Sequence, residues 1–112
     1  LFYAIINKGS DTHLFPWGYG AHYENIKVRN NDEFCNYSHW TFIIHEGGVV
    51  QIINRGSDTH IFPWDYGKHY AQAKIRYNHE FCDFSLWKVR NDNGFIFFKN
   101  KASSTHLFTW DF

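Results

Sequence analysis

Short runs of alternating apolar and polar residues follow one another along the chain, and each run ends at glycine, asparagine, aspartate or serine. The first unit of this pattern contains four such runs, at residues 2–7, 12–17, 25–29 and 39–45. Alternation with a period of two, broken by turn-forming residues, is typical of strands joined by tight turns. No segment sustains an apolar period of 3.6 residues, so the pattern predicts an all-β chain without a long helix.

The same pattern recurs because the sequence is internally duplicated. Residues 5–40 align without a gap on residues 52–87, a shift of 47 positions, and 23 of the 36 aligned residues are identical. A third copy, shifted by 46 positions from the second, begins near Phe98 and is recognisable as far as Trp110. We therefore treat the chain as one domain, residues 1–112, with repeat one at 2–48, repeat two at 49–95 and a partial repeat three at 96–112.

Four short strands in about 46 residues suit either a β-trefoil lobe or a β-propeller blade. The end of each full repeat, Ser38-His-Trp-Thr-Phe42 and Ser85-Leu-Trp-Lys-Val89, resembles the Gln-x-Trp signature of ricin-type β-trefoils. A turn, an aromatic strand, an asparagine and a second turn follow, in the order in which the next ricin-type lobe begins. The resemblance implies an all-β, pseudo-threefold β-trefoil, and a β-propeller fragment is the alternative.

The chain departs from the ricin-type pattern at two kinds of position. Ser38 and Ser85 stand where the family usually has glutamine, and the three residues at the place of the galactose-binding aspartate are Phe15, Phe62 and Phe108. The resemblance therefore implies a lectin-like, carbohydrate-binding module whose pocket differs from the usual one, or a trefoil that has no pocket.

The third repeat is roughly 28 residues shorter than the other two. A trefoil barrel closes only with the strands of all three lobes, and open sheet edges favour association. We expect an incomplete chain, a longer natural protein, or strands completed by another copy in a homo-oligomer. A half-propeller that assembles as an oligomer is the corresponding alternative.

Charge and hydropathy exclude two classes of partner. The chain has 11 basic and 11 acidic residues and a formal net charge of +0, without a basic stripe, so we expect no nucleic-acid partner. The longest apolar runs, such as residues 95–98, are too short to span a bilayer, so no membrane insertion is expected.

Several repeated residues are interpreted as structural. Trp40 and Trp87 occupy the signature position and are predicted to seal the core of their lobes. Cys35 and Cys82 are equivalent under the repeat and should lie too far apart for a disulfide, so we expect two free thiols packed as small hydrophobic groups. Free thiols favour a reducing compartment, whereas the lectin-like resemblance favours an extracellular one.

Catalytic and metal-binding functions find little support in the residues. His13, His60 and His106 recur in all three copies, which suggests a threefold metal site, but a role in lobe structure is the favoured interpretation. Polar residues that repeat indicate a scaffold, whereas catalysis needs unlike groups that converge, and no phosphate loop or nucleophile elbow is present. We expect no enzyme activity, no metal and no cofactor.

The connection between the second and third strands of each repeat is the best candidate for binding, because exposed loops on a rigid scaffold concentrate functional residues. Aromatic rings there can stack on a sugar, and amide, carboxylate and imidazole groups can bond its hydroxyls. The candidate residues are Trp17, Tyr19, His22, Asn25, Trp64, Asp65, Tyr66, His69 and Gln72. The predicted function is a multivalent glycan-binding module with one shallow site per repeat. The alternatives are a structural or storage repeat protein and a protein-binding or inhibitory trefoil.

Overall fold

The computed structural model describes residues 1–108, which fold into strands and short turns arranged in three lobes. Within this range no helix is long and apolar enough to cross a membrane. We refer to residues 2–48 as lobe one, to residues 49–95 as lobe two and to residues 96–108 as the described part of lobe three. The strands are β1 Thr12–Pro16, β2 Ile26–Asn30, β3 Trp40–Ile44, β4 Val49–Asn54, β5 Thr59–Pro63, β6 Ala73–Tyr77, β7 Trp87–Asp92 and β8 Phe95–Asn100.

Two antiparallel hairpins, one in each complete lobe, share the same register. In lobe one β1 pairs with β2 so that Phe15 lies opposite Lys27, and in lobe two β5 pairs with β6 so that Phe62 lies opposite Lys74. The remaining strands connect the lobes, since β4 pairs with both β3 and β7, and β7 pairs with β8. The 47-residue sequence shift is therefore also a shift of equivalent structure.

The predicted first strand, residues 2–7, forms only isolated bridges, from Tyr3 to Trp40 and from Ile6 to His13. Its counterpart in lobe two, β4, is a full strand because it lies between β3 and β7. Segment 2–7 meets the equivalent of β7 at Trp40, but within residues 1–108 it has no neighbour equivalent to β3 on its other side. A strand paired along one side gains fewer hydrogen bonds, which explains the difference.

Trp40 and Trp87 are buried, as predicted, with 0% and 2% of their surface exposed. Each indole N–H donates to a backbone carbonyl of the hairpin in its own lobe, Leu14 O at 3.2 Å and Ile61 O at 3.1 Å. The two rings belong to one apolar cluster that also contains Ile26, Val50, Ile52, Ile61, Ile75 and Phe98. A single core therefore joins the lobes, and each tryptophan fixes a hairpin to the barrel.

The recurring histidines of the two complete lobes have a structural role. His60 is fully buried, with Nδ1 lying 3.1 Å from Asn78 Oδ1 and Nε2 lying 2.8 Å from Ser85 Oγ. His13 makes the equivalent pair of bonds in lobe one, to Asn31 and Ser38. Because an amide oxygen can only accept, Nδ1 carries the proton and Nε2 accepts from the serine hydroxyl. Ser38 and Ser85 thus serve as hydrogen-bond partners of a neutral buried histidine.

The imidazoles of His13 and His60 are each engaged within their own lobe. Across residues 1–108 no group of three or more His, Cys, Asp or Glu side chains is placed to hold a metal ion. His106 of lobe three is exposed and lies near Phe97, at 6.3 Å between ring centroids.

The two cysteines are free, but they are not packed as small hydrophobic groups. Both are exposed, so the expectation of buried thiols is wrong. Each sulfur instead accepts a hydrogen bond from an arginine of the neighbouring strand, at 3.4 Å between Arg29 Nη1 and Cys35 Sγ and at 3.4 Å in the second copy. Burial raises the pKa of Cys35, but hydrogen bonds from the Tyr37 backbone and from Arg29 outweigh it and lower the pKa below its ordinary value.

Replacing either core tryptophan by alanine should lower the free energy of unfolding by about 3–5 kcal/mol, because it empties a large buried site and removes an indole hydrogen bond. Urea unfolding of Trp40→Ala and Trp87→Ala measures the change. Trp17→Ala, which truncates a tryptophan that is 54% exposed, is the matched control and should lose far less. Equal losses in all three variants would contradict the assignment of Trp40 and Trp87 to the core.

Acid should destabilise the fold through its buried histidines. Burial lowers the pKa of His60 to about 4, from an ordinary value of 6.5, and it lowers the pKa of His13 in the same direction. Between pH 4 and pH 6.5 His60 binds a proton in the unfolded chain but not in the folded one. Its contribution to the free energy of unfolding is therefore complete above pH 6.5 and falls as the pH drops towards 4. The loss at His60 is up to about 3 kcal/mol.

Urea unfolding between pH 4 and pH 7 tests whether the free energy of unfolding falls as the pH drops. The control is His79→Gln, which replaces an exposed histidine and should keep the pH dependence. The titration of the His60 ring by NMR in the folded protein gives a second readout that needs no variant. A midpoint near pH 6.5 for that ring would contradict the prediction.

Candidate functional site

The loops that follow β1 and β5 hold their backbones in the left-handed region. In lobe one φ is 60° at Gly18, 57° at Tyr19 and 72° at Gly20, and in lobe two it is 57° at Tyr66 and 69° at Gly67. This region is cheap for glycine but strained for a bulky residue such as tyrosine. The turn projects the tyrosine outward, and Tyr19 and Tyr66 are each 77% exposed.

The glycine after each exposed tyrosine anchors the loop to the next lobe. The Thr59 hydroxyl donates to Gly20 O at 3.2 Å, and the Thr105 hydroxyl donates to Gly67 O at 2.9 Å. A Cβ at Gly20 would collide with the side chain of Ser57. The tyrosines therefore sit on loops whose bases are fixed by a junction between lobes.

A second aromatic residue lies beside each exposed tyrosine. The ring of Tyr19 meets Tyr37 at 5.6 Å and 64°, and the ring of Tyr66 meets Phe84 at 5.8 Å and 66°. Tyr37 in turn lies against Gly56 of lobe two, where a Cβ would come within 2.6 Å of the ring. Sequence reasoning missed Tyr37 and Phe84, although their equivalence under the 47-residue shift, just before Ser38 and Ser85, was a signal.

Trp17 and Trp64 are partly exposed, at 54% and 42%, and each carries a lysine over its ring. Lys27 Nζ lies 5.0 Å from the Trp17 ring centroid, and Lys74 Nζ lies 4.7 Å from that of Trp64. Trp64 also meets the ring of Tyr23 edge-on at 5.2 Å. Each indole thus has a cationic neighbour, and a lysine occupies one face of the ring on which a sugar was predicted to stack.

His22 reaches across the junction into lobe two. Its Nδ1 accepts from the Tyr77 backbone N–H at 3.1 Å, and its Nε2 lies 3.1 Å from Glu80 Oε2. The ring stacks between Tyr23 and Tyr77, at 3.7 and 4.1 Å. Both ring nitrogens are engaged within the protein, so a sugar hydroxyl would have to displace a junction contact to bind there.

Asn25, His69 and Gln72 line one cavity of about 900 Å³ between the lobes. Gln72 Nε2 donates to Ile26 O at 3.1 Å, whereas Asn25 Oδ1 is buried without a partner among residues 1–108. The beginning of lobe three, from Ser104 to Phe108, also lines the cavity. The cavity therefore lies where residues of all three lobes meet.

Asp65 is exposed on the left-handed loop of lobe two, with φ 53°, and its carboxylate lies 4.0 Å from Lys68 Nζ. Lobe one has Gly18 at the equivalent place, so the two loops differ in charge while their tyrosines match.

The predicted site residues therefore separate into three groups. The first group is exposed on the loops and hairpin ends and consists of Tyr19, Tyr66, Asp65, Trp17 and Trp64. The second is His22, which contacts lobe two across the junction. The third lines the cavity and consists of Asn25, His69 and Gln72. The exposed group offers rings and polar groups to a ligand at the surface, without an enclosed pocket.

No protein-family model matches the chain, and no curated protein sequence matches it. Solved structures do match. A designed threefold-symmetric protein, ThreeFoil, superposes with a TM-score of 0.84 at 14% identity, over 95% of this chain and 76% of that one.

Two further solved structures resemble the chain. The Polyporus squamosus lectin, bound to the epitope Neu5Aca2-6Galb1-4GlcNAc, has a TM-score of 0.78 at 14% identity, over 95% of this chain and 38% of that one. The BEL β-trefoil has a TM-score of 0.74 at 12% identity, over 99% of this chain and 76% of that one. The prediction of a β-trefoil is thereby confirmed, and the alternative of a propeller fragment is set aside.

Proposed function

We propose that this chain is a non-catalytic carbohydrate-binding module in which the exposed tyrosine loop of each complete lobe forms a shallow site. Its partners would be glycans or glycoproteins displayed at a surface. The proposal agrees with the ricin-type sequence resemblance and with the glycan bound to the Polyporus squamosus lectin, a structural neighbour.

The observation that carries the proposal is the backbone strain beneath two exposed rings. A tyrosine in the left-handed region costs about 1–3 kcal/mol, which glycine would avoid. Both complete lobes nevertheless hold tyrosine there, 77% exposed, with one aromatic neighbour at its edge. One edge-on ring contact, worth about 0.5–1.5 kcal/mol, offsets only part of this cost, and we attribute the rest of the preference for tyrosine to contacts that the ring makes with a ligand.

The chemistry of the loops suits a sugar. The apolar face of a pyranose can lie on a tyrosine ring, and the phenol hydroxyl can donate to or accept from the sugar's hydroxyls. A shallow site desolvates hydroxyl groups at a cost that its hydrogen bonds only partly offset, so a single site binds weakly. Two equivalent loops on one rigid scaffold gain strength from avidity on a multivalent surface.

Replacing Tyr19 and Tyr66 by glycine should abolish binding to a densely displayed glycan without unfolding the protein. Glycine removes the ring and also relieves the left-handed strain, so the thermal midpoint should change by only a few degrees. A glycan array followed by thermal unfolding measures both effects. Ile44→Ala, which truncates a side chain that is 76% exposed at the end of β3, is the matched control.

Binding that survives in the double variant would overturn the assignment of the loops. If the parent protein binds no glycan at any density, the carbohydrate function falls, and the storage or protein-binding alternative replaces it.

A further inference from the structure

We infer that the ligand of this module is an acidic glycan, whose carboxylate or sulfate is bound by Lys27 beside Trp17 and by Lys74 beside Trp64. The inference rests on the proposed function and adds the class of sugar to it. It is carried by a repeated arrangement of cations and rings on the two hairpins.

Each hairpin presents two cations above two rings. In lobe one Arg29 lies 4.4 Å from the Phe15 centroid and Lys27 lies 5.0 Å from that of Trp17. In lobe two the corresponding distances are 4.0 Å for Arg76 on Phe62 and 4.7 Å for Lys74 on Trp64. The arrangement follows from the shared register, in which a basic residue occupies alternate positions of β2 and of β6.

The arginines of this arrangement are already committed to protein groups. Arg29 lies 3.5 Å from Glu33 and bonds Cys35, while Arg76 bonds the Glu80 carbonyl at 3.3 Å as well as Cys82. Each guanidinium is thus held on its hairpin by two polar contacts with the protein, whereas Lys74 makes one such contact.

The lysines have no carboxylate of their own. Neither Lys27 nor Lys74 makes an ion pair within the part of the chain that the structure describes, and Lys74 uses one donor on Tyr23 O at 3.3 Å. An ammonium has three donors, so at least two remain on Lys74 for an anion. The ring beneath holds the ammonium in place, which lowers the conformational cost of binding.

An acidic sugar matches this combination of groups. Its carboxylate or sulfate accepts from the ammonium, while its apolar ring face contacts the partly exposed indole and its hydroxyls face solvent. A neutral sugar would leave both ammonium groups without a counter-charge. The module should therefore prefer an anionic glycan, and the preference should decline with salt because these groups lie at the surface.

Three glycan surfaces of equal density distinguish the possibilities in biolayer interferometry: terminal galactose, terminal 6-sulfogalactose and terminal glucuronate. We expect the parent protein to bind at least one anionic surface about three- to fivefold more tightly than the neutral one at 50 mM salt. The difference should shrink in 300 mM salt. The sulfate and carboxylate surfaces show which anion is preferred.

The variant Lys27→Gln with Lys74→Gln should bind all three surfaces alike, with an unchanged thermal midpoint. Lys88→Gln, an exposed lysine on β7 outside the hairpins, should keep the preference. Equal binding of neutral and anionic surfaces by the parent, or a preference that survives in the double variant, would overturn the inference while leaving a neutral-glycan module in place. Absence of binding to every surface would overturn both proposals.

Discussion

The fold depends on hydrogen bonds that each lobe makes to the lobe before it. Asn54, almost fully buried, donates to the Tyr37 carbonyl of lobe one at 2.9 Å, and its own side-chain oxygen accepts from the backbone of the turn that follows. Asn100 repeats the arrangement with Phe84 O at the next junction. The same turns supply the threonine hydroxyls that hold Gly20 and Gly67. One buried amide thus orders a turn, joins two lobes and fixes the base of an exposed aromatic loop.

Much of the architecture could be predicted from the sequence because repetition makes equivalent positions visible. The strand runs, the buried Trp40 and Trp87 and the structural role of His13 and His60 all follow from comparing one copy with the next. Contacts between lobes join positions that are not equivalent, so the comparison could not reveal them. Contacts of this kind join His22 to Glu80, Gln72 to Ile26 and Tyr37 to Gly56. The exposure of the cysteines could not be predicted, because their hydrogen bonds to Arg29 and Arg76 depend on how the segment after each strand folds back.

The polar side chains of this chain include buried groups that are neutral and surface groups that are charged. Inside, the imidazoles are kept neutral by burial and by partners with fixed hydrogen-bonding roles, as at His60 with Ser85 and Asn78. Outside, cations rest on aromatic rings and keep their charge in contact with water, as Lys74 does on Trp64. The interior groups set the shape of each lobe, and the outer groups place cations and aromatic rings in contact with solvent.

The contact between Tyr37 and Gly56 also bears on how the chain avoids assembling its lobes in the wrong order. Neighbouring repeats this similar can dock on the wrong neighbour during folding, a characteristic failure of repeat proteins. The turn of lobe two has Gly56 where that of lobe three has Ala102, and the ring of Tyr37 leaves no room for the extra methyl group. Lobe three could take the place of lobe two beside lobe one only if the Tyr37 ring moved to admit that methyl group. The difference between Gly56 and Ala102 therefore favours the turn of lobe two, and not that of lobe three, as the neighbour of lobe one.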